Sequence, residues 1–353
     1  MLLLSDPALR SPRMRVLVDG ALLQGATAAF VESNNHYAAD RFHLAVAMGA
    51  DPSRSMAAWA EAASADIEVQ ATLDGWSWTS LIEGTVDQLE MDPLAGRLRL
   101  FGRDRSAALI EARTTETFAN RTASEIAVIL AGRHGLAAKV QSTSTPVGRY
   151  WQLEHDQITL DQFNQATTEW DLLVTLAERE GFDVWVSGRT LFFQSPAISG
   201  TTPAVLRPGD LSGLWLERAL ALAERVEVTV KSWHSRQGAM ICENASSAPG
   251  HEGRVRRYVY VVPNLTPESA RLLARTRLAE LVQHERVLIA EMPGDLTLTP
   301  RTTLALEGTG TAFDQTYRID EIERRLHVVH GFTQCIRARK ANVPFGSSAE
   351  EGA

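Results

Sequence analysis

The sequence predicts a mainly β fold with α+β insertions, and three observations lead to that prediction. Residues 14–105 carry short apolar segments at even spacing with turn residues between them, a pattern typical of a barrel or sandwich. In the middle of the chain the apolar period changes to that of helices. Strand-like alternation returns from about Arg207. With 353 residues, the chain is long enough for two or three domains that each have a core.

The first β region covers residues 14–111. Within it, Asp66–Ala71 alternates polar and apolar side chains, which is typical of a half-buried strand. The pair Asp74-Gly75 predicts a two-residue hairpin, and Trp76 and Trp78 would continue into the returning strand. Because side chains two positions apart in a strand point the same way, we expect both indoles on one face.

The middle region, residues 112–205, is predicted to be a small α+β unit. A capping box at Thr122–Glu125 indicates the start of a helix, and His134-Gly135 indicates its end. A second helix is predicted over Glu169–Glu180, followed at once by a glycine. A hairpin that turns at Ser187-Gly188 completes the unit.

The third region, residues 206–340, returns to strands. Val226–Val230 alternates valine with polar residues, which again predicts a half-buried strand. Thr266-Pro267 is typical of a helix N-terminus, and the helix should run to about His284. The region closes with two strands that are joined at His330-Gly331.

Composition sets limits on the class of protein. A net charge of −8 disfavours binding to phosphate backbones through a basic surface, although an acidic wall can enclose DNA without holding it. Cys242 and Cys335 lie in strand-like segments without a CxxC motif, so we expect core thiols and no zinc site. Met1–Leu4 is too short for a signal-peptide core, and no long apolar run suggests a membrane span. Residues 341–353 are predicted to be disordered.

The sequence predicts no catalytic, cofactor-binding or metal-binding residues. His327 and His330 form an HxxH pair, but positions three apart in a strand face opposite sides, which disfavours a shared metal. The glycines of Gly308-Thr-Gly310 lead towards another strand and not a helix, so they indicate a turn and not a phosphate cradle. The sequence also lacks a Gly-x-Ser-x-Gly elbow.

Taken in order, several of these segments resemble a known family, the phage late control gene D proteins. Those proteins are baseplate hub subunits of contractile tails, and the VgrG hub of type VI secretion is a more distant relative. The resemblance covers about residues 15–340. The motifs that carry it are the Thr122–Gly135 helix, Trp170-Asp-Leu-Leu173 with Gly181 and the Gly188-x-x-Leu191-x-Phe193 hairpin, Lys231-Ser-Trp233, and Gly308-x-Gly310-x-x-Phe313 with Tyr317-x-Ile319 and Gly331-Phe332.

The resemblance implies two tail-tube-like β-barrels, residues 14–111 and 206–340, with the α+β middle domain 112–205 between them. An insertion over about 244–286 would interrupt the second barrel. The implied assembly is a homotrimer whose six barrels adapt a sixfold tail tube to a threefold central spike. DNA would pass through this ring without specific binding.

The resemblance also implies partners and a location. The expected partners are the tail tube protein and the central spike protein, with the tape measure and baseplate wedge proteins as further candidates. The protein would be made in the bacterial host cytoplasm and end in the virion, at the baseplate of a phage tail or tailocin. The resemblance implies no cofactor and no enzymatic activity. The chain carries no obvious spike, lysozyme or peptidase extension, so any wall-degrading activity is expected to belong to another subunit.

Seven residues are candidates for contacts between subunits, because tryptophan is over-represented in interfaces and a basic run can dock an acidic partner. They are Trp76, Trp78, Trp233, Phe313, Arg337, Arg339 and Lys340. The basic run also fits a solvated edge strand that deters unwanted pairing. Two other functions stay open: a tail-associated cell-wall hydrolase, and a carbohydrate-binding β module with Trp76 and Trp78 as its platform.

Overall fold

The structure is a computed structural model that describes residues 10–144, 146–147, 149–150, 157–158, 168–196, 203–234, 239–247, 255–263 and 265–341. The predicted disordered tail lies outside the described residues except for Ala341. The chain forms two compact units. The first comprises residues 1–200, 292–301 and 320–335, and the second comprises residues 201–291, 302–319 and 336–353.

Strands dominate the described residues, which confirms the prediction of a mainly β fold with α+β insertions. The strands are β1 (Arg13–Val18), β2 (Ala21–Leu23), β3 (Ala26–Asn34), β4 (Arg41–Ala47), β5 (Asp66–Thr72), β6 (Thr79–Asp92), β7 (Arg97–Asp104), β8 (Ala137–Val140), β9 (Arg149–Tyr150), β10 (Gln157–Ile158), β11 (Asp183–Ser187), β12 (Thr190–Gln194), β13 (Ala204–Leu206), β14 (Gly213–Arg218), β15 (Arg225–His234), β16 (Ala239–Ser246), β17 (Val255–Val261), β18 (Arg286–Pro293), β19 (Thr303–Leu306), β20 (Thr316–His327) and β21 (Gly331–Lys340). The helices are α1 (Met56–Ala60), α2 (Ser106–Glu111), α3 (Ala123–Arg133), α4 (Glu169–Glu180), α5 (Leu220–Ala223) and α6 (Pro267–Val282).

In the first unit, antiparallel strands follow the order β20-β3-β4-β7-β6-β5-β1-β2. Alternate side chains point into one apolar core, as the period of two requires. Gly102 on β7 is needed for close approach, because a Cβ there would lie 2.3 Å from the Phe42 ring and 2.2 Å from the Thr85 carbonyl oxygen. The glycine therefore lets Phe42 fill the core beside β7.

The predicted hairpin forms between β5 and β6, but its turn is wider than the two residues predicted at Asp74-Gly75. The Asp74 carboxylate accepts hydrogen bonds from the N–H groups of Trp76 and Ser77 and from the Thr72 hydroxyl, each at 2.7 Å. These bonds replace strand pairing at the turn, and β6 begins only at Thr79. Trp76 and Trp78 therefore lie in a loop and do not share a strand face.

The α+β part of the first unit matches the predicted elements closely. Thr122 and Glu125 form the expected capping box of α3, and α4 ends at Gly181 in the left-handed conformation. Strands β11, β12 and β8 form a small sheet in which β8 runs parallel to β12. The Trp170 indole N–H donates to the Tyr37 carbonyl at 2.6 Å, which anchors α4 to the segment after β3.

In the second unit, β14 pairs with β18 over Gly213–Arg218, β19 pairs with the first residues of β20 over Thr303–Ala305, and β13 pairs with β19. Tyr317 is fully buried here, and its hydroxyl donates to the Phe313 carbonyl at 2.9 Å. A second sheet with the order β16-β15-β17 lies in the same unit. Its inner face packs on α6, which begins at Thr266 as predicted.

Candidate assembly surfaces

The seven residues predicted for interfaces lie on four separate segments of the described chain. Trp76 and Trp78 are in the β5–β6 loop, Trp233 is on β15, and Phe313 is in the loop before β20. The three basic residues are at the end of β21. Each segment has different surroundings.

The loop that carries Trp76 and Trp78 does not present two stacked indoles. Trp76 is 87% exposed. Trp78 is partly buried, and the Arg15 guanidinium lies 4.4 Å from the centre of its ring. Arg15 in turn is held by a hydrogen bond to Gln70. One face of Trp78 is therefore already covered by a cation, which leaves Trp76 as the exposed ring of this loop.

The basic run is surrounded by partners within its own unit. Arg337 lies 3.5 Å from Glu217, and Lys340 lies 4.0 Å from Glu285. Arg339 lies 3.2 Å from the His284 ring nitrogen. The interpretation as an edge strand is wrong, because β21 lies between β18 and β20. Sequence pattern alone does not reveal this position, since the pairing of β18 with β21 joins segments that are far apart in the chain.

Phe313 closes a structured loop, and its ring is partly buried. The Arg286 guanidinium lies 5.8 Å from the centre of that ring. The Asp314 carboxylate accepts from the Thr309 hydroxyl at 2.6 Å and from the Gly310 N–H at 2.9 Å, and these bonds hold its pKa below the usual range. Gly308 has φ +89°, so the prediction that these glycines form a turn is confirmed.

His327 and His330 converge, and the expectation that they would face opposite sides is wrong. Their ring centres are 4.5 Å apart, because β20 ends at His327 and His330 lies in the turn that follows. The His327 Nδ1 accepts from the N–H groups of Val329 at 3.0 Å and His330 at 3.3 Å. These contacts give the pair a local role in shaping the turn.

Three carboxylates also converge on the first unit's sheet: those of Glu32, Glu321 and Glu323 have oxygen atoms within 4.8 Å of one another. Arg41 donates to both oxygens of Glu32 at 2.7 Å. The pKa of Arg41 is raised by this bidentate pairing. We therefore interpret the three carboxylates as part of an ion-pair network on paired strands.

A buried group of charges, which sequence reasoning missed, lies where β4 and β7 meet in the first unit. The Asp104 N–H donates to the Asp40 carbonyl at 2.9 Å, which brings the two aspartates together. Burial raises the pKa of Asp40 to about 6. Burial and the neighbouring Asp40 carboxylate raise that of Asp104 to about 7. Arg324 is also buried and donates to the Leu298 carbonyl, and burial lowers its pKa to about 10.

The surroundings of Trp233 differ from those of the other predicted residues. Val226, Val228 and Val230 point inward to α6, so Trp233 lies with Lys231 on the outer face of β15. Strand register places Met240 opposite Trp233 and Cys242 opposite Lys231 on β16. On the other side, β17 places Val261 opposite Lys231 and Val259 opposite Thr229. We call Lys231, Trp233, Met240, Cys242, Val259 and Val261 the Trp233 face.

The Trp233 face is exposed and mostly apolar. The exposed fractions are 56% for Trp233, 67% for Met240, 57% for Val259 and 76% for Val261. Cys242 is exposed as well, which corrects the expectation of a core thiol. The outer face of a two-layer unit ordinarily carries polar side chains, so a contiguous apolar group there is a candidate contact surface.

Comparison with solved structures relates this fold to tail proteins. The 43 kDa tail protein of prophage MuSo2 from Shewanella oneidensis matches with a TM-score of 0.68 and 16% identity, over 94% of this chain and 97% of that chain. The tail protein from Neisseria meningitidis MC58 matches with a TM-score of 0.68 and 15% identity, over the same shares of 94% and 97%.

A component of the type VI secretion system of Escherichia coli, described as similar in structure to the T4 bacteriophage tail proteins gp27 and gp5, also matches. Its TM-score is 0.55 at 10% identity, over 93% of this chain and 77% of that chain. At such low identities the likeness shows a shared fold. No protein-family model and no curated protein sequence matches the chain. Among the described residues, no helix is long and apolar enough to span a membrane.

Proposed function

We propose that this protein is a structural hub subunit of a contractile tail, belonging with the late control gene D proteins. It forms a homotrimeric ring that joins a sixfold tail tube to a threefold central spike and encloses the DNA channel. Its place is the baseplate of the virion. It acts by shape and symmetry and not by catalysis.

The observation that carries this proposal is the likeness in fold to phage tail proteins from end to end. The two tail-protein matches cover 94% of this chain and 97% of each tail protein, so the likeness is not limited to one common module. The match to the secretion-system component supports a role in a tail as well, because that protein is described as similar to phage tail proteins. A likeness in fold over nearly the whole chain is evidence about the architecture of this protein and not about its chemistry.

The strand arrangement supports two tube-like barrels in one chain. The first unit contains the long hairpin of β6 and β7, and β20 and β21 form a second long hairpin at the end of the chain. A trimer with two barrels in each subunit would present six similar barrels to a sixfold tube. We therefore propose domains at 14–111 and 206–340, with the α+β domain 112–205 between them and an insertion at 244–286. Strand β17 and α6 fall within that insertion, whereas β15 and most of β16 lie before it.

Light scattering tests the homotrimer directly. A mass near three times 38.7 kDa is the expected result for the purified chain. If the chain alone is a monomer, the measurement is repeated after co-expression with the tube and spike proteins from the same gene cluster. A chain that stays monomeric in both preparations contradicts the ring.

The two other functions have weaker support in the described residues. A carbohydrate platform would use the faces of Trp76 and Trp78 together, but Arg15 covers one face of Trp78. For a cell-wall hydrolase, release of soluble fragments from purified peptidoglycan is the discriminating assay. We expect no release above that of a heat-denatured control.

A further inference from the structure

The outer face of the β16-β15-β17 sheet has two different ends. At one end, Thr229 donates to the Asn244 side chain at 2.6 Å, and Arg257 pairs with Glu227 at 3.1 Å. Polar groups there satisfy one another, as on an ordinary solvated face. At the other end lies the Trp233 face, where four large apolar side chains are more than half exposed.

Strand β17 lies at one edge of this sheet. Among the described residues, β17 pairs only with β15, so one of its edges carries no strand partner. Val259 and Val261 stand on this strand and are exposed. An exposed apolar edge strand favours association with other chains, and proteins ordinarily protect such an edge with charges. Here the charged residue Arg257 lies at the polar end and leaves the last residues of β17 unprotected.

Lys231 gives the apolar end a charge. It lies between Cys242 on β16 and Val261 on β17, in the middle of the Trp233 face. The part of the chain that the structure describes contains no carboxylate within ion-pair distance of its ammonium group. A partner that covers this face must desolvate the ammonium, which is costly unless the partner supplies an opposite charge.

We propose that the Trp233 face docks an apolar segment of a different tail protein, which presents a carboxylate to Lys231. Trp233 and Met240 supply the apolar anchor, and Lys231 fixes the register of the partner. This inference rests on the proposed function, since it requires that the chain is built into a tail. It deepens that function by assigning one surface to one kind of partner.

A second copy of this chain that presents the same face is a poorer occupant; a contact with another surface of a neighbouring copy is tested by the crosslinking below. In a twofold contact the same patch meets itself, so both Lys231 ammonium groups would be brought into one apolar contact. Two like charges without a counterion destabilise such a contact. A segment with a carboxylate removes this cost, and for that reason we assign the face to a different protein.

Cys242 provides a native reporter, because its thiol is exposed on the Trp233 face. The experiment compares the rate of maleimide labelling at Cys242 in the purified chain and in intact tails, with peptide mapping to separate it from Cys335. We expect labelling to be at least tenfold slower in tails. Equal rates in both preparations would overturn the inference while leaving the hub role standing.

A photo-crosslinker identifies the partner. Benzoylphenylalanine is introduced at Val259 in the cell, tails are purified and irradiated, and crosslinked peptides are sequenced by mass spectrometry. We expect a peptide of another tail protein that contains apolar residues and an aspartate or glutamate. A crosslink to a second copy of this chain, or none, would overturn the inference. Absence of the chain from tails would instead overturn the proposed function, and the inference with it.

Charge variants give an independent readout with a matched control. Lys231→Glu places a negative charge against the partner carboxylate, so we expect at least a tenfold loss of intact tails. The control Ser246→Glu adds a negative charge on the same outer face opposite Glu227, at the polar end, and should leave the yield within twofold. Circular dichroism of both purified variants confirms that they fold. Equal yields of tails for the two variants would contradict the role of Lys231.

Discussion

Trp76 and Trp233 are both exposed tryptophans, but their surroundings differ. Trp76 is 87% exposed and stands in a loop that the Asp74 carboxylate holds in shape. Trp233 is less exposed, at 56%, yet it shares its face with Met240 and two valines. The more exposed ring is therefore the more isolated one, within the described residues.

From this difference we expect contiguity to be a better guide to a contact surface than exposure. A single exposed apolar side chain is normal on a soluble protein, since much of any protein surface is apolar. A group of such side chains on one sheet face carries a cost in water that a partner would remove. We therefore propose Trp233 as a residue for assembly, and we interpret Trp76 as a surface residue on a well-formed loop.

The strongest test of this comparison is a pair of alanine variants. Trp233→Ala should reduce the yield of intact tails at least tenfold, because an anchor tryptophan in an interface typically contributes about 2 kcal/mol or more. Trp76→Ala should leave the yield within twofold. Particle counts by electron microscopy measure both. The comparison fails if the two variants lose tails equally.

Asp104 is buried, so its charged form is costly, in contrast to the exposed charge of Lys231. The pKa of Asp104 is raised to about 7 in the folded state, so the folded chain binds more protons than the unfolded chain between about pH 4 and pH 7. Its contribution to stability is therefore present at low pH and is lost as the pH rises through about 7. The charged group that acts on Asp104 is the Asp40 carboxyl. Arg301 and Arg324 act in turn on Asp40.

Asp104→Asn tests this assignment, because the amide keeps an oxygen that can accept from the Ser106 N–H and hydroxyl, as the carboxylate does. We expect the variant to be more stable than the natural chain at pH 8 by on the order of 1 kcal/mol. The advantage should vanish at pH 4. Urea unfolding at the two pH values measures it. A constant difference across this range would show that the Asp104 charge is not the cause.

The smallest expected effect is at the loop of Trp76. Asp74→Ala removes the acceptor for the N–H groups of Trp76 and Ser77, so the loop should loosen and the Tm should fall by a few degrees. The yield of tails should not change. Thermal unfolding followed by circular dichroism measures the shift, with Trp76→Ala as the control that leaves the backbone bonds in place. An assembly defect in Asp74→Ala would mean that the loop has a contact role.

Elements with local signals could be predicted from the sequence. Helices α3, α4 and α6 begin where Thr122, Thr168 and Thr266 cap them, and α4 ends at a left-handed glycine. These features depend on neighbours within a few residues, and capping residues are visible in the sequence. The closing hairpin and the turn at Gly308 are local in the same sense.

Features that depend on distant contacts or on side-chain bonds could not be predicted. The sequence pattern of the basic run fits an edge strand as well as a docking site, but pairing with β18 places β21 inside a sheet. The hairpin of β5 and β6 has a wider turn than predicted, because the Asp74 side chain accepts from backbone N–H groups in place of strand pairing. The Asp40–Asp104 pair joins two strand ends far apart in sequence. Trp233 and Lys231 are adjacent in the sequence pattern, but the neighbouring Met240, Val259 and Val261 follow only from strand register.

A reconstruction of the assembled tail by electron cryomicroscopy tests the central claim most directly. We predict three copies of this chain in a ring between the end of the tail tube and the spike, with twice as many barrels as subunits. The Trp233 face should be covered by another protein. Six copies of the chain, or a position away from the tube–spike junction, would contradict the account.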